Sequence, residues 1–282
     1  MDNFQKIFPP LAIWFFLPVA VLLMIPLLNH LERSQTKYDF ESKSRYVAGK
    51  FANAKDRPIV LVIGTSLVEC GLDSSEKIES RVKEISGKPI VLVKLFKRGG
   101  TLSNFADNMK LLDQLRPDIV VVEANMLSYR ALNETFLNEY LYLFRMLINP
   151  DSAYQSYSPD RRPNVIVSNK TVEQLRNGLI DSTDISSFRE LAAAWQSKGT
   201  HFLFVNFPIE KSEEFKKWHR ADTSAFNTNL RYLRQKIKLE YFNNKLDLDS
   251  TFFCDRTHMS LKGSRFFTNS FCREVALQLK SL

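Results

Sequence analysis

Four short apolar runs punctuate the chain: "IVLVIGTS" (59–66), "PIVLVKLF" (89–96), "DIVVVEAN" (118–125) and "HFLFVNFP" (201–208). Each is rich in β-branched or aromatic residues and lacks polar alternation, which is how strands buried on both faces read. Between the first three lie polar, helix-capable segments, "SSEKIESRVKEIS" (74–86) and "NFADNMKLLDQL" (104–115). The chain closes on "SLKGSRFFTNSFCREVALQLKSL", where apolar positions again recur at helical spacing. This alternation predicts an α/β fold with a central parallel sheet and helical crossovers. In such sheets chemistry gathers outside the carboxyl ends of the strands, here "GTSLVE", "KRGGTLSN" and "EANMLS".

A different pattern occupies the N-terminus. Phe8 to Leu28 runs without a charge for 21 residues, the length of a bilayer-spanning helix. The "NHLERSQ" that follows has no small-residue cleavage site, so the segment reads as an uncleaved anchor. Its four prolines are better tolerated in a membrane helix than in a water-soluble one. The expected organisation is therefore a tail and transmembrane anchor at 1–29 and a polar juxtamembrane stalk at 30–57. An α/β domain at 58–282 follows, with an insertion at about 126–183. Within the insertion, "FLNEYLYLFRMLI" (136–148) suits a helix, and Arg161 and Arg162 fall in a loop. Arg33, Lys37, Lys43, Arg45 and Lys50 behind the span would, by the positive-inside rule alone, keep the body in the cytoplasm.

Composition narrows the function. The +8 net charge is spread along 282 residues. With no zinc-finger spacing, RNA-binding aromatic motif or long basic run, nucleic acid is not an expected partner. Scattered basic charge does suit anionic lipid headgroups. Cys70, Cys254 and Cys272 form neither a disulfide framework nor a metal cluster. Cys70 and Cys254 would be neighbours only if the segments around Ser66 and Asp255 meet. His201 and His219 are isolated and His30 abuts the expected membrane span, and none is assigned a role.

Candidate chemistry comes from four positions. Ser66 follows the first strand directly, where a serine exposes its hydroxyl at the sheet rim or simply caps a helix. Gly99 and Gly100 end the second strand, where a backbone N–H can approach an oxyanion or merely make a turn. Asn125 ends the third, as an oxyanion donor or an Asx-turn residue. In "CDRTHMSLKGSRFF" (254–267), His258 could accept a serine proton while Asp255 holds the imidazole's tautomer. A metal site is disfavoured there because no further His or Cys stands at ligand spacing.

Taken in order, these blocks resemble the SGNH (GDSL-type) hydrolase superfamily. "GTSL" is similar to its first block, "RGGT" to its second, and "DRTHMSLKG" to its last. The third block departs, with Glu123, Ala124, Asn125 and Met126 where the family reads G-x-N-D. The resemblance implies a three-layer α/β fold and a Ser66–His258–Asp255 triad needing no cofactor. It also implies an oxyanion hole from the N–H groups of Ser66 and either Gly99 or Gly100, with Asn125. Ester hydrolysis and acyl transfer use the same residues.

Combined with the anchor, the pattern resembles membrane-anchored members that add or remove O-acetyl groups on cell-envelope polysaccharide. Such members often work beside a multi-span acyl-exporting membrane protein, and the resemblance implies a periplasmic or extracytoplasmic catalytic domain, against the charge rule. The alternatives are a lipid-directed esterase or thioesterase and a non-catalytic module that binds an envelope polymer.

Overall fold

The computed structural model describes residues 11–97, 100, 102–105, 112, 116–127, 148, 157–160, 182–210, 226–243, 246, 248–255 and 257–282. Five strands form its sheet: β1 (Ile59–Gly64), β2 (Val91–Phe96), β3 (Ile119–Glu123), β4 (His201–Val205) and β5 (Leu239–Phe242). They run in the order β2-β1-β3-β4-β5, and every pairing is parallel. That order is the flavodoxin-like one, which places a switch point at the carboxyl ends of β1 and β3. The four apolar runs supply β1 to β4, and every residue of β1, β2 and β3 is buried. β5 was not expected. It is a four-residue edge strand in which only Leu239 is buried, so it carries no apolar run to read.

Strand register sorts the side chains into two faces. Leu61 and Ile63 pair with Val120 and Val122, which pair with Phe202 and Phe204. Parallel partners share a face, and this one meets α4 (Ser182–Gln196). Phe188 of α4 stands edge-on to Phe202 and Phe204, and Trp195 stacks on Phe202. The opposite face carries α2 (Ser66–Gly71), α3 (Ser75–Ser86) and α5 (Leu261–Gln278). Phe267, Phe271, Cys272 and Val275 of α5 are fully buried there. Helices on both faces make the three layers the sequence predicts. Each fully buried Val, Leu or Ile contributes about 1.5–3 kcal/mol relative to exposure, so this double coverage stabilises the sheet.

Lys94 breaks the apolar pattern of β2. It is 2% exposed, and its Nζ lies 2.6 Å from Asp160 Oδ1 and donates to the Asp73 carbonyl at 3.0 Å. Burial pushes the ammonium pKa down while the Asp160 partner opposes that shift. Asp160 also accepts from the Ser75 N–H and hydroxyl, so the pair fastens the chain at 160 to the start of α3.

α1 is a single helix over Leu11–Ala52. The chain divides into two compact units, residues 1–42 with 134–157, and 43–133 with 158–282. In the first, the Tyr157 N–H donates to Ser42 Oγ. In the second, the last turns of α1, within the expected stalk, pack as part of the body. Val47 is fully buried, Tyr46 accepts the Lys94 N–H, and Lys50 pairs with Glu79 at 3.5 Å. Among the described residues no helix is long and apolar enough to cross a membrane. Phe8, most of the expected helix at 104–115, residues 136–147, Arg161, Arg162 and His219 lie outside the described residues.

Candidate active site

The second unit holds every described residue of the site. β1 ends at Gly64, Thr65 is extended, and α2 begins at Ser66. Thr65 Oγ1 caps α2 by accepting the Leu67 N–H at 3.2 Å. Only glycine fits at 64, because a Cβ there would lie 2.2 Å from Val68 Cγ2 and 2.6 Å from Glu123 Oε2. Ser66 is consequently set at the carboxyl edge of the sheet, half-buried, as the first residue of α2. Gly71 at the far end of α2 packs against Phe207, whose ring meets Phe267 of α5 at 4.9 Å. The Asp73 N–H donates to Thr268 Oγ1, which ties the α2–α3 connection to α5 as well.

α5 in turn places the loop before it. Phe253 and Met259 form an antiparallel bridge, the Cys254 N–H donates to the His258 carbonyl, and the Ser260 N–H donates to that of Phe252. Inside this closed loop, Asp255 Oδ1 accepts the Thr257 and His258 N–H groups, both at 2.7 Å, and the Thr257 hydroxyl at 3.0 Å. Asp255 Oδ2 is 2.7 Å from His258 Nδ1, and His258 Nε2 is 2.9 Å from Ser66 Oγ. The fold thus brings together Ser66, His258 and Asp255 across 192 residues of chain.

The electrostatics fix the proton positions. Partial burial alone would raise the Asp255 carboxyl, but bonds from the His258 ring and from the His258 and Thr257 N–H groups hold it far below the usual carboxylate range. An ionised Asp255 only accepts, so Nδ1 carries the imidazole proton and the Nε2 lone pair faces the serine hydroxyl. His258 and Asp255 keep 23% and 16% side-chain exposure, so the relay is reachable from solvent.

Ser260 and Gly263 of "DRTHMSLKG" are structural. Ser260 Oγ caps α5 through the Gly263 N–H at 3.3 Å, and a Cβ at Gly263 would sit 2.0 Å from the Phe252 carbonyl oxygen. Backbone, not a movable side chain, occupies that space. Gly263→Ala is therefore expected to lower unfolding stability by about 2–3 kcal/mol. Urea denaturation monitored by circular dichroism checks this, with an unchanged midpoint as the contrary result.

The oxyanion candidates fare differently. Gly99 lies outside the described residues. The Gly100 N–H donates to the Lys97 carbonyl at 3.0 Å, which commits that proton to the turn after β2. Asn125 is buried and pairs with the Phe207 backbone in both directions. Its Oδ1 accepts the N–H at 3.0 Å and its Nδ2 donates to the carbonyl at 3.3 Å, joining the ends of β3 and β4. Cys70 and Cys272 are buried and Cys254 is exposed, and no disulfide joins Cys70 to Cys254. His201 opens β4, at the end of the sheet away from Ser66. Among the described residues no group of three or more His, Cys, Asp or Glu side chains could hold a metal.

Sequence reasoning gave no role to Thr65, Thr257 and Glu123. Thr257 sits between the two triad residues and braces Asp255. Glu123 is fully buried at the end of β3, its Oε2 accepting the Thr65 N–H at 2.6 Å and both oxygens reached by the Thr65 hydroxyl at 2.9 and 3.0 Å. The one available signal was an acidic residue where the resembling block has glycine.

Ser66, His258 and Asp255 thus form one hydrogen-bonded relay at the carboxyl edge of a flavodoxin-like α/β sheet, the arrangement that Ser-His-Asp chemistry requires. No protein-family model matches the chain, and no curated protein matches it. Among solved structures, it is similar to a GDSL-like lipase from Bacteroides thetaiotaomicron VPI-5482, with 12% identity, 86% of this chain and 100% of that chain covered, and a TM-score of 0.47. It is also similar to the acetylxylan esterase Axe2 from Geobacillus stearothermophilus (14% identity, 77% and 94% covered, TM-score 0.46). A third is TesA (14% identity, 79% and 98% covered, TM-score 0.47). These are distant likenesses, and the functional reading rests on the site itself.

Proposed function

We propose that this protein is a membrane-anchored serine acyl enzyme of the SGNH type that adds or removes O-acetyl groups on cell-envelope polysaccharide. The observation that carries the catalytic part is the continuous relay from Ser66 Oγ to His258 Nε2 and from His258 Nδ1 to Asp255. In the proposed reaction, Ser66 Oγ attacks the ester carbonyl as its proton passes to His258 Nε2, and Asp255 stabilises the imidazolium. The tetrahedral oxyanion takes the Ser66 N–H, which as the first amide of α2 has no intrahelical acceptor. His258 returns the proton to the departing alcohol. Attack on the acyl-Ser66 ester by water completes hydrolysis, and attack by a sugar hydroxyl completes transfer. His258 takes the nucleophile's proton in either case.

The anchor is supported by the uncharged segment from Phe8 to Leu28 and by the exposure of Phe16, Val19, Leu22, Leu23 and Leu27 on α1. Apolar side chains this exposed suit lipid better than water. The polysaccharide substrate and a periplasmic catalytic domain follow from the family resemblance together with the anchor, as does a multi-span acyl-exporting partner.

The test uses the full-length chain in a membrane fraction, given p-nitrophenyl acetate with and without a short oligosaccharide acceptor. Nitrophenol release is expected to pellet with the membranes and to become soluble when residues 1–28 are deleted. Acetylated sugar, read by mass, assigns transfer, and acetate alone assigns hydrolysis. Cleavage confined to long-chain esters would replace the polysaccharide reading with a lipid-directed one. No ester cleavage by a folded protein whose Ser66 also fails to take an acyl group would overturn the enzyme reading.

A further inference from the structure

The proposed chemistry uses Ser66, His258 and Asp255, and leaves one buried ionisable side chain beneath them unexplained. Glu123 ends β3 with no exposure at all. Among the described residues its carboxyl bonds to Thr65, taking the N–H at 2.6 Å and the hydroxyl at 2.9 and 3.0 Å. Thr65 is the residue whose own hydroxyl caps α2 and whose neighbour is the nucleophile. Gly64 leaves the space that the carboxyl fills, since a Cβ there would approach Oε2 to 2.6 Å. An isolated buried carboxyl is costly, and an apolar residue would fill a strand end at less expense. The bonds it makes go to the one turn that sets the direction of Ser66 Oγ.

We propose that Glu123 is a positioning residue for the nucleophile, its buried carboxyl fixing Thr65 and thereby holding Ser66 Oγ in line with His258 Nε2. The inference rests on the serine acyl-enzyme reading. It assigns Glu123 no contact with substrate. A loosened turn costs rate because the nucleophile must be held close to its productive geometry, and small displacements there cost orders of magnitude.

The charge state of Glu123 fits this role. Burial raises the carboxyl to about 7, against the Thr65 bonds and the His258 charge, which lower it. The charge that acts on it is that of His258, in the loop before α5. A protonated Glu123 still accepts the Thr65 N–H on one oxygen while its O–H turns to Thr65 Oγ1. Glutamine can reproduce that pair, with its carbonyl accepting the N–H and its amide donating to the hydroxyl oxygen. Leucine cannot reproduce either bond. Because the folded-state value is raised, stability from this group is greatest below the ordinary carboxylate range and falls as pH rises from there through about 7.

The experiment follows inactivation of the full-length protein by an alkyl fluorophosphonate, in which Ser66 Oγ bonds to phosphorus, fluoride leaves and the hydroxyl proton passes to His258. Wild type, Glu123→Gln and Glu123→Leu are compared, with the rate at saturation separated from reagent affinity and the modified peptide identified by mass. Glu123→Leu is expected to slow the saturating rate about 30-fold or more at unchanged affinity. Glu123→Gln should restore it to within about fivefold of wild type. A folded Leu variant inactivated within about threefold of wild type would overturn the proposal, as would a Gln variant as slow as Leu. Should the Leu variant not fold, Thr65→Val removes one partner of the carboxyl. It is expected to slow inactivation about tenfold, and a wild-type rate there overturns the proposal equally. A wild-type protein unmodified at Ser66 is a separate result, which removes the acyl-enzyme reading and the positioning role with it.

Discussion

Ser66→Ala is expected to abolish ester cleavage, lowering kcat by on the order of 10⁴–10⁶ while leaving substrate affinity and folding intact. The size of the effect follows from the geometry. Ser66 Oγ is the only oxygen placed 2.9 Å from the His258 Nε2 lone pair among the described contacts. Alanine deletes the atom that forms the acyl bond, so what remains is the contribution of binding and oxyanion donors alone. Folding should be spared, because α2 is capped by Thr65 and packed through its buried residues from Leu67 to Gly71, none of which depends on the Ser66 hydroxyl. Steady-state kinetics on p-nitrophenyl acetate beside a thermal melt checks both halves. A variant keeping more than about a tenth of wild-type turnover would mean that another group is the nucleophile.

Asp255→Asn should come close in size, a loss of about 10⁴ in kcat with little change in KM. Asparagine can keep the bonds from the Thr257 and His258 N–H groups through its carbonyl oxygen. Its NH₂ group then faces His258 Nδ1 with a donor where the carboxylate had an acceptor. The ring answers by moving its proton to Nε2, which turns a donor toward Ser66 and removes the base. The same carboxylate shapes the acid response. Its folded-state value is depressed, so its stabilisation is present above the ordinary carboxylate range and is lost as pH falls toward the folded value. Melting temperature followed across acid pH should therefore fall more gently in Asp255→Asn than in wild type. Parallel acid profiles for the two proteins would contradict the ionised Asp255.

How much of this was legible depended on whether the physical signal was local. β1 to β4 could be read because burial on both faces leaves uninterrupted apolar runs. β5 could not, because an edge strand with one buried residue has no such run. Asp255 and His258 stand three residues apart, so their partnership was visible in a short window, and their loop closes on itself through its own backbone bonds. Their pairing with Ser66 had no local signal and was reached only through block order. The end of the polar stalk hid a packing surface, since Tyr46 and Val47 meet the sheet edge and core while their neighbours carry charge. Gly100 shows the limit of composition, because a glycine committed to a turn and one that donates to an oxyanion look alike in sequence. Glu123 shows it again. An acid at the end of an apolar strand reads as the point where the strand surfaces, yet here it turns inward to Thr65.

The most direct measurement is to find where the acyl group goes. Full-length protein mixed with an activated acetyl ester, quenched in acid within the first turnover and digested, is read by peptide mass. The triad assignment predicts one acetyl group on the peptide containing Ser66, absent from Ser66→Ala and from a sample lacking the donor. An unmodified Ser66 peptide during turnover, or an acetyl group carried by another side chain in both proteins, would contradict it.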